Sequence, residues 1–346
     1  MTTKVAFVGA GSWGTAIASL VAGKEQHETV IWARRAELAE TMNLYHENPE
    51  YLPELMLPEN LVATHMIEEA VGDAAIVIMA VPSHGFRSVL REVALHAEDG
   101  ATYVSLTKGL EVSTRKRMSQ VLAEEVDRIS PSSIAVLTGP NLAKEVAQGF
   151  PAASTIACAD GATAEMLQGL FHTAEFSCYT NNDVVGSELG GAFKNVIAIA
   201  AGIADGLGYG DNTKSTVMTR GLAEMARFSV CFGAQPLTFL GLAGVGDLMA
   251  TCASAQSRNH SVGIELGRGR KIDEIIGSMR MVAEGVKSCK PIFELGQEAG
   301  VRMPITENVV RICHQNAPVR DVVRDLLNRE DHSEFEGVVD PLVLQT

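Results

Sequence analysis

The sequence predicts an α/β protein in which an N-terminal doubly wound, mostly parallel sheet is followed by an all-α C-terminal domain. Three observations carry that expectation. Short β-rich runs alternate with helical stretches through the first half, a glycine-rich turn joins the first strand to the first helix, and strand-like runs stop after Asn182 while helical ones continue. A length of 346 residues suits two domains, expected as residues 1–182 and 183–346.

Lys4 to Val8 (KVAFV) reads as a buried strand, Ser12 to Ala22 as a helix and Thr29 to Trp32 as a second strand, which makes one βαβ unit. Further strands are expected at 75–81 (AIVIMAV), 101–106 (ATYVSL) and 133–137 (SIAVL), separated by helices at 84–96 and 114–128. Ala152 to Cys158 and Ser177 to Tyr179 read as two more strands around a helix at 162–171. The second half reads as helices at 184–206, 212–231, 245–253, 258–267, 286–299, 304–314 and 318–328. The stretch FKNVIAIAAGIA is apolar on nearly every side, as expected of a helix buried in a core or a subunit interface. The final REDHSEFEGVVDPLVLQT lacks helical periodicity and reads as a peripheral tail from about residue 329.

Composition narrows the functional classes. Acidic residues number 42 against 28 Lys and Arg, and the net charge of -14 repels nucleic acid and anionic membranes. An anionic ligand would therefore need a local basic exception. The six cysteines are scattered without a CxxC pair and the nine histidines show no ligand spacing, so no metal site and no disulfide framework are expected. With no signal-peptide pattern before residue 4 and no wholly apolar stretch approaching the roughly 20 residues of a membrane span, a reduced cytoplasmic location is expected.

The turn GAGSWG has the spacing of a dinucleotide fingerprint. Gly9 would permit the tight turn, Gly11 the approach of a pyrophosphate and Gly14 close packing of helix on strand, while the helix amino terminus at Ser12 offers free N–H groups to phosphate. In this context the sheet is Rossmann-type. Trp13 either covers part of the nucleotide or packs against the sheet. The acidic residue usual about 20 positions beyond the glycines is replaced by Arg34 and Arg35. Guanidinium groups there suit a 2′-phosphate, so NADP is tolerated or preferred; the other reading is two arginines capping a strand in solvent.

Beyond the loop, SLTKGLE (105–111), GPNLAKEVA (139–147), ELGGAFKNVIAIAAG (188–202), GLAGVGDLMATC (241–252), QSRN (256–259) and VAEGVKS (282–288) occur in that order. Together they resemble the bacterial-type NAD(P)-dependent sn-glycerol-3-phosphate dehydrogenases, from about residue 4 to residue 314. The resemblance implies a homodimeric oxidoreductase that reduces dihydroxyacetone phosphate with NAD(P)H and supplies glycerophospholipid synthesis. It also implies residue roles. Lys194, alone on an apolar helix, would otherwise be read as reaching for the surface; by resemblance it transfers the proton, with Asp247 orienting it. Lys108 would otherwise read as solvent-facing; by resemblance it touches cofactor and substrate and polarises the carbonyl. Ser257, Arg258 and Asn259 read as a helix cap or, by resemblance, as the clamp on the substrate phosphate, with Arg258 also reaching the nucleotide. Gly139 and Asn141 would border the substrate, Ala143 the cofactor, and Val282 and Glu284 would close around the cofactor. Asn141 stands where many members carry Ser, and Ala253 and Ser254 stand where a Thr-Gly is frequent.

Two rivals remain at this point. A dehydrogenase of a β-hydroxy acid would also use a helix-borne lysine but has no need of the SRN clamp, and a non-catalytic NAD(P)H sensor would bind cofactor without turnover.

Overall fold

Strand β1 (Thr3–Val8) sends Val5 and Phe7 to one face of a sheet and Ala6 and Val8 to the other, and all four are fully buried. A strand apolar on both faces belongs in the middle of a covered sheet, and β1 lies there in the computed structural model, which describes residues 3–127, 129–279 and 283–327. The predicted Val282 and the tail expected from about residue 329 fall outside the described residues.

After helix α1 (Ser12–Ala22) the chain forms β2 (His27–Trp32), α2 (Ala36–Tyr45), a small antiparallel hairpin of β3 (Glu47–Asn48) and β4 (Leu52–Met56), β5 (Leu61–Thr64) and α3 (Ile67–Val71). It continues with β6 (Ile76–Met79), α4 (Ser83–Ala94), β7 (Thr102–Ser105), α5 (Met118–Glu125), β8 (Ile134–Thr138), α6 (Ala143–Ala147), β9 (Ala152–Cys158), α7 (Gly161–Phe171) and β10 (Phe176–Asn181). The eight-stranded sheet runs β10-β9-β8-β7-β6-β1-β2-β5. Every neighbouring pair is parallel except β8 with β9, so the sheet is doubly wound and mostly parallel. One face packs on α1, α2 and α7 through Phe7, Ile17, Leu38, Leu167 and Phe171. The other packs on α3, α4 and α5 through Val8, Ile67, Phe86, Leu90 and Val121. Each such side chain contributes about 1.5–3 kcal/mol of burial.

Several short elements escape the sequence reading. Helix α3 has five residues, and Lys4 Nζ supports its end by donating to the carbonyls of Glu69 and Gly72 at 2.8 and 2.7 Å. A helix held by a lysine on another element leaves no local pattern. The helix expected over 114–128 is shorter: residues 111–117 form a turn closed by Glu111 N–H donating to Lys116 O at 2.9 Å, and Arg115 sits in the left-handed region at φ 60°. A non-glycine residue in that conformation excludes a helix.

The second half is helical. It comprises α8 (Val184–Gly206), α9 (Asp211–Cys231), a 3₁₀ turn (Pro236–Leu240), a π-helical turn (Leu242–Gly246), α10 (Asp247–Ala253), α11 (Arg258–Gly267), α12 (Ile272–Ser278), α13 (Glu284–Glu298), α14 (Pro304–Gln315) and α15 (Val319–Leu327). By length and hydropathy α8 could cross a membrane, but 83% of its apolar window is buried inside the protein, as a core helix requires. Buried Glu224 on α9 accepts the N–H groups of Ile305 and Thr306 at 2.6 and 3.1 Å and so caps the first turn of α14. The chain divides into two units, one of residues up to Val184 without Val112–Arg115, the other of Val112–Arg115 with the chain from Val185 onward.

Candidate active site

In the sheet unit, β1, β6, β7 and β8 are parallel neighbours, so the turns that follow them share one edge. Ligands of doubly wound sheets bind at that edge. Gly9 follows β1 at φ 121°, and a Cβ there would lie 2.9 Å from the Ala80 carbonyl oxygen; a Cβ on Gly14 would lie 2.1 Å from Gly9 O. The protein's own packing demands both glycines. Gly11 differs, because a Cβ there meets nothing within 4 Å. The missing side chain leaves space directly at the amino terminus of α1, and that fits the pyrophosphate of a dinucleotide.

The ring of Trp13 lies 6.4 Å from that of Phe176, and its Nε1, buried, has no partner among the described residues. Ser12 Oγ donates to Tyr51 O at 2.6 Å. Arg34 and Arg35 are both exposed just after β2, with Arg35 in an ion pair with Glu50 at 2.5 Å that raises its pKa. After β7, Lys108 Nζ donates to the carbonyl of Gly139 at 2.9 Å, so two predicted residues from neighbouring turns meet. Asn141 donates to Ser154 Oγ at 2.5 Å while its buried Oδ1 has no partner among the described residues. Ala143 opens α6.

In the helical unit, Lys194 lies on the core helix α8 and is only 7% exposed, so it does not reach for solvent. Its Nζ donates to Asp247 Oδ1 and to Thr251 Oγ1, each at 2.5 Å. Asp247 and Thr251 are one helical turn apart on α10, and Thr251 Oγ1 also donates to Asp247 O at 2.7 Å. The lysine is thereby fixed by a carboxylate and a hydroxyl that are themselves linked. Gly190 permits this meeting: a Cβ on it would lie 2.5 Å from the Ala243 carbonyl oxygen, so the π-helical turn presses on α8 one turn before Lys194.

Ser257 caps α11, its Oγ accepting the His260 N–H at 3.3 Å. Buried Asn259 donates to Asn195 Oδ1 and accepts from the Gly285 N–H, both at 2.9 Å. Through this one amide, the first turns of α11 and α13 are tied to α8 beside Lys194. Two positive helix ends thus meet. Arg258 is exposed, yet the protein around its guanidinium lowers its pKa, with Glu284 on α13 acting in the opposite sense. Arg34 and Arg35 in the sheet unit and Arg258 in the helical unit are exposed cations.

Sequence reasoning missed Thr251 and Asn195. Threonine and asparagine inside helices give no periodic signal, although Thr251 follows Asp247 by four residues and so shares its face.

The fold and these groups define a class, the dinucleotide-dependent oxidoreductases with a phosphate-binding sheet unit and a helical unit that carries charge. Comparison with known proteins narrows it. The family models of the NAD-dependent glycerol-3-phosphate dehydrogenase N-terminus and C-terminus match residues 4–164 and 183–324, and the chain belongs to this family. A glycerol-3-phosphate dehydrogenase [NAD(P)+] of Streptomyces griseus is 50% identical over 94% of this chain and 96% of its own. One from Thermobifida fusca is 47% identical over 97% of this chain and 100% of its own. Among solved structures, glycerol-3-phosphate dehydrogenase from Coxiella burnetii superposes with a TM-score of 0.89 at 34% identity, covering 95% of this chain and 99% of that one.

Proposed function

We propose that the chain interconverts dihydroxyacetone phosphate and sn-glycerol 3-phosphate, with bound NAD(P)H supplying a hydride to C2 of the ketone. The observation that carries this reading is the buried Lys194 held by Asp247 and Thr251. An ammonium locked in one position is suited to give a proton to the developing alkoxide oxygen and to take it back in the reverse reaction. Asp247 stabilises the charged form of Lys194, and Thr251 fixes the direction of its N–H groups.

Arg258 and the free N–H groups of the first turn of α11 hold the substrate phosphate, with Ser257 shaping that turn. Asn259 acts through Asn195 and Gly285, which use one donor and one acceptor of its amide. Lys108 polarises the carbonyl and reaches the cofactor, Gly139 and Asn141 border the substrate, and Ala143 and Glu284 border the cofactor. Gly9, Gly11, Ser12, Trp13 and Gly14 form the pyrophosphate turn, and Arg34 and Arg35 face the adenosine 2′ position, where they accept a 2′-phosphate. The protein acts in the cytoplasm as a homodimer, and its product feeds glycerophospholipid synthesis; the six free cysteines agree with a reducing compartment.

The test follows the loss of NADH absorbance on addition of dihydroxyacetone phosphate. Wild type turns over, and Lys194→Ala loses about 10³-fold in kcat with cofactor binding, read by fluorescence, nearly unchanged. No substrate-dependent oxidation by wild type would end the reading, and substantial residual rate in the variant would remove Lys194 from proton transfer.

A further inference from the structure

Where the usual fingerprint places an acidic residue after β2, this chain has Arg34 and Arg35. A carboxylate nevertheless stands beside them, delivered from the hairpin of β3 and β4. Glu50 Oε2 lies 2.5 Å from Arg35 Nη2, and each side chain is about half exposed, 47% and 46%. Among the described residues no ion pair engages Arg34.

The position of Glu50 is set by its neighbours. Two residues before it, Asn48 is wholly buried and donates to Ala10 O and Thr15 Oγ1, both at 2.9 Å. One residue after it, the Tyr51 carbonyl accepts from Ser12 Oγ at 2.6 Å, and the Tyr51 N–H donates to Asn48 Oδ1 at 3.3 Å. The hairpin is therefore bolted to the glycine turn and the first turns of α1 on both sides of Glu50. An exposed pair of flexible side chains usually counts for little; here the backbone under the carboxylate is fixed to the phosphate-binding turn itself.

We propose that Glu50 is a specificity-determining residue that biases the cofactor choice toward NADH by occupying Arg35 and opposing a 2′-phosphate. This rests on the reading of Arg34 and Arg35 as facing the 2′ position. A 2′-phosphate must displace Glu50 from Arg35 and then sit near its negative charge, whereas a 2′-hydroxyl does neither. The arginine pair in the sequence alone thus overstates the preference for NADPH.

The experiment compares the affinities of adenosine 2′,5′-bisphosphate and 5′-AMP by calorimetry on the full chain. It uses wild type, Glu50→Gln, Arg35→Ala and the double variant, alongside the NADPH to NADH ratio of kcat/KM. Glu50→Gln is expected to raise both ratios about 5-fold at low salt, less at high salt, and by under about 2-fold once Arg35 is alanine. An unchanged or lowered ratio in Glu50→Gln, with Arg35→Ala lowering it, overturns the proposal and leaves the arginine reading standing. Unchanged ratios in all three variants overturn both. Exposed Glu50 and its near-isosteric replacement keep folding out of the comparison, and thermal melts verify this.

Discussion

The glycine turn of the sheet unit and the lysine cluster of the helical unit are built by opposite means. The turn is main chain: consecutive residues whose glycines leave N–H groups and a helix end open. The cluster is made of side chains, Lys194 from α8 with Asp247 and Thr251 from α10, whose fit depends on helices far apart in sequence. The difference teaches that a backbone site is specified by local conformation and a side-chain site by packing, so the two should fail differently under substitution.

The largest expected effect comes from Gly14→Ala. Its Cβ would meet Gly9 O at 2.1 Å, so the turn must shift, at a cost of about 3 kcal/mol or more in stability together with lost cofactor binding. Gly11→Ala, with nothing within 4 Å, should leave the melting temperature unchanged and weaken NADH alone. Equal melting temperatures for the two variants would break the claim that the glycines have separate jobs. In the helical unit, Arg258→Ala should lower kcat/KM for dihydroxyacetone phosphate about 100-fold and that for dihydroxyacetone hardly at all, without a change in melting temperature. A similar loss for both substrates would mean that Arg258 supports the unit and does not hold the phosphate.

The last effect, at Glu224, touches stability and not the reaction. Burial pushes its carboxyl from the ordinary 4.5 up to about 7, despite the N–H groups it accepts. A raised folded-state pKa gives stability that is present below pH 4.5 and lost as pH rises through about 7. The stability difference between wild type and Glu224→Gln should therefore shrink over that window by about 3 kcal/mol. A difference independent of pH, read from melting curves, would show that Glu224 stays ionised throughout.

The contrast between the units also accounts for what the sequence discloses. β1, α1 and the glycine turn are legible because their reasons are local: an apolar run, a turn and a helix start. The long helices of the second half follow from periodicity in the same way, and α11 is predicted with the bounds found. Lys194 and Asp247 lie 53 positions apart, and only their motifs suggest a meeting. Asn195 as a partner of Asn259 and Glu50 as a partner of Arg35 are tertiary facts with no local trace, and Thr251 as a partner of Lys194 leaves only its spacing of four from Asp247. The same holds for α3, which rests on Lys4, and for the break at Arg115, where a helical composition gives way to a left-handed residue.

The π-helical turn before Asp247 has a consequence for chain length. A π turn accommodates one residue more than the α-helix it interrupts, and each residue of an α-helix advances about 100° around the axis. Removing one residue from Leu242–Gly246 would therefore let the turn close to an α-helical one with Asp247 and Thr251 keeping their phase, whereas adding one would turn the helix that carries them by about 100°. Insertion, more than deletion, is what this stretch of the protein cannot absorb.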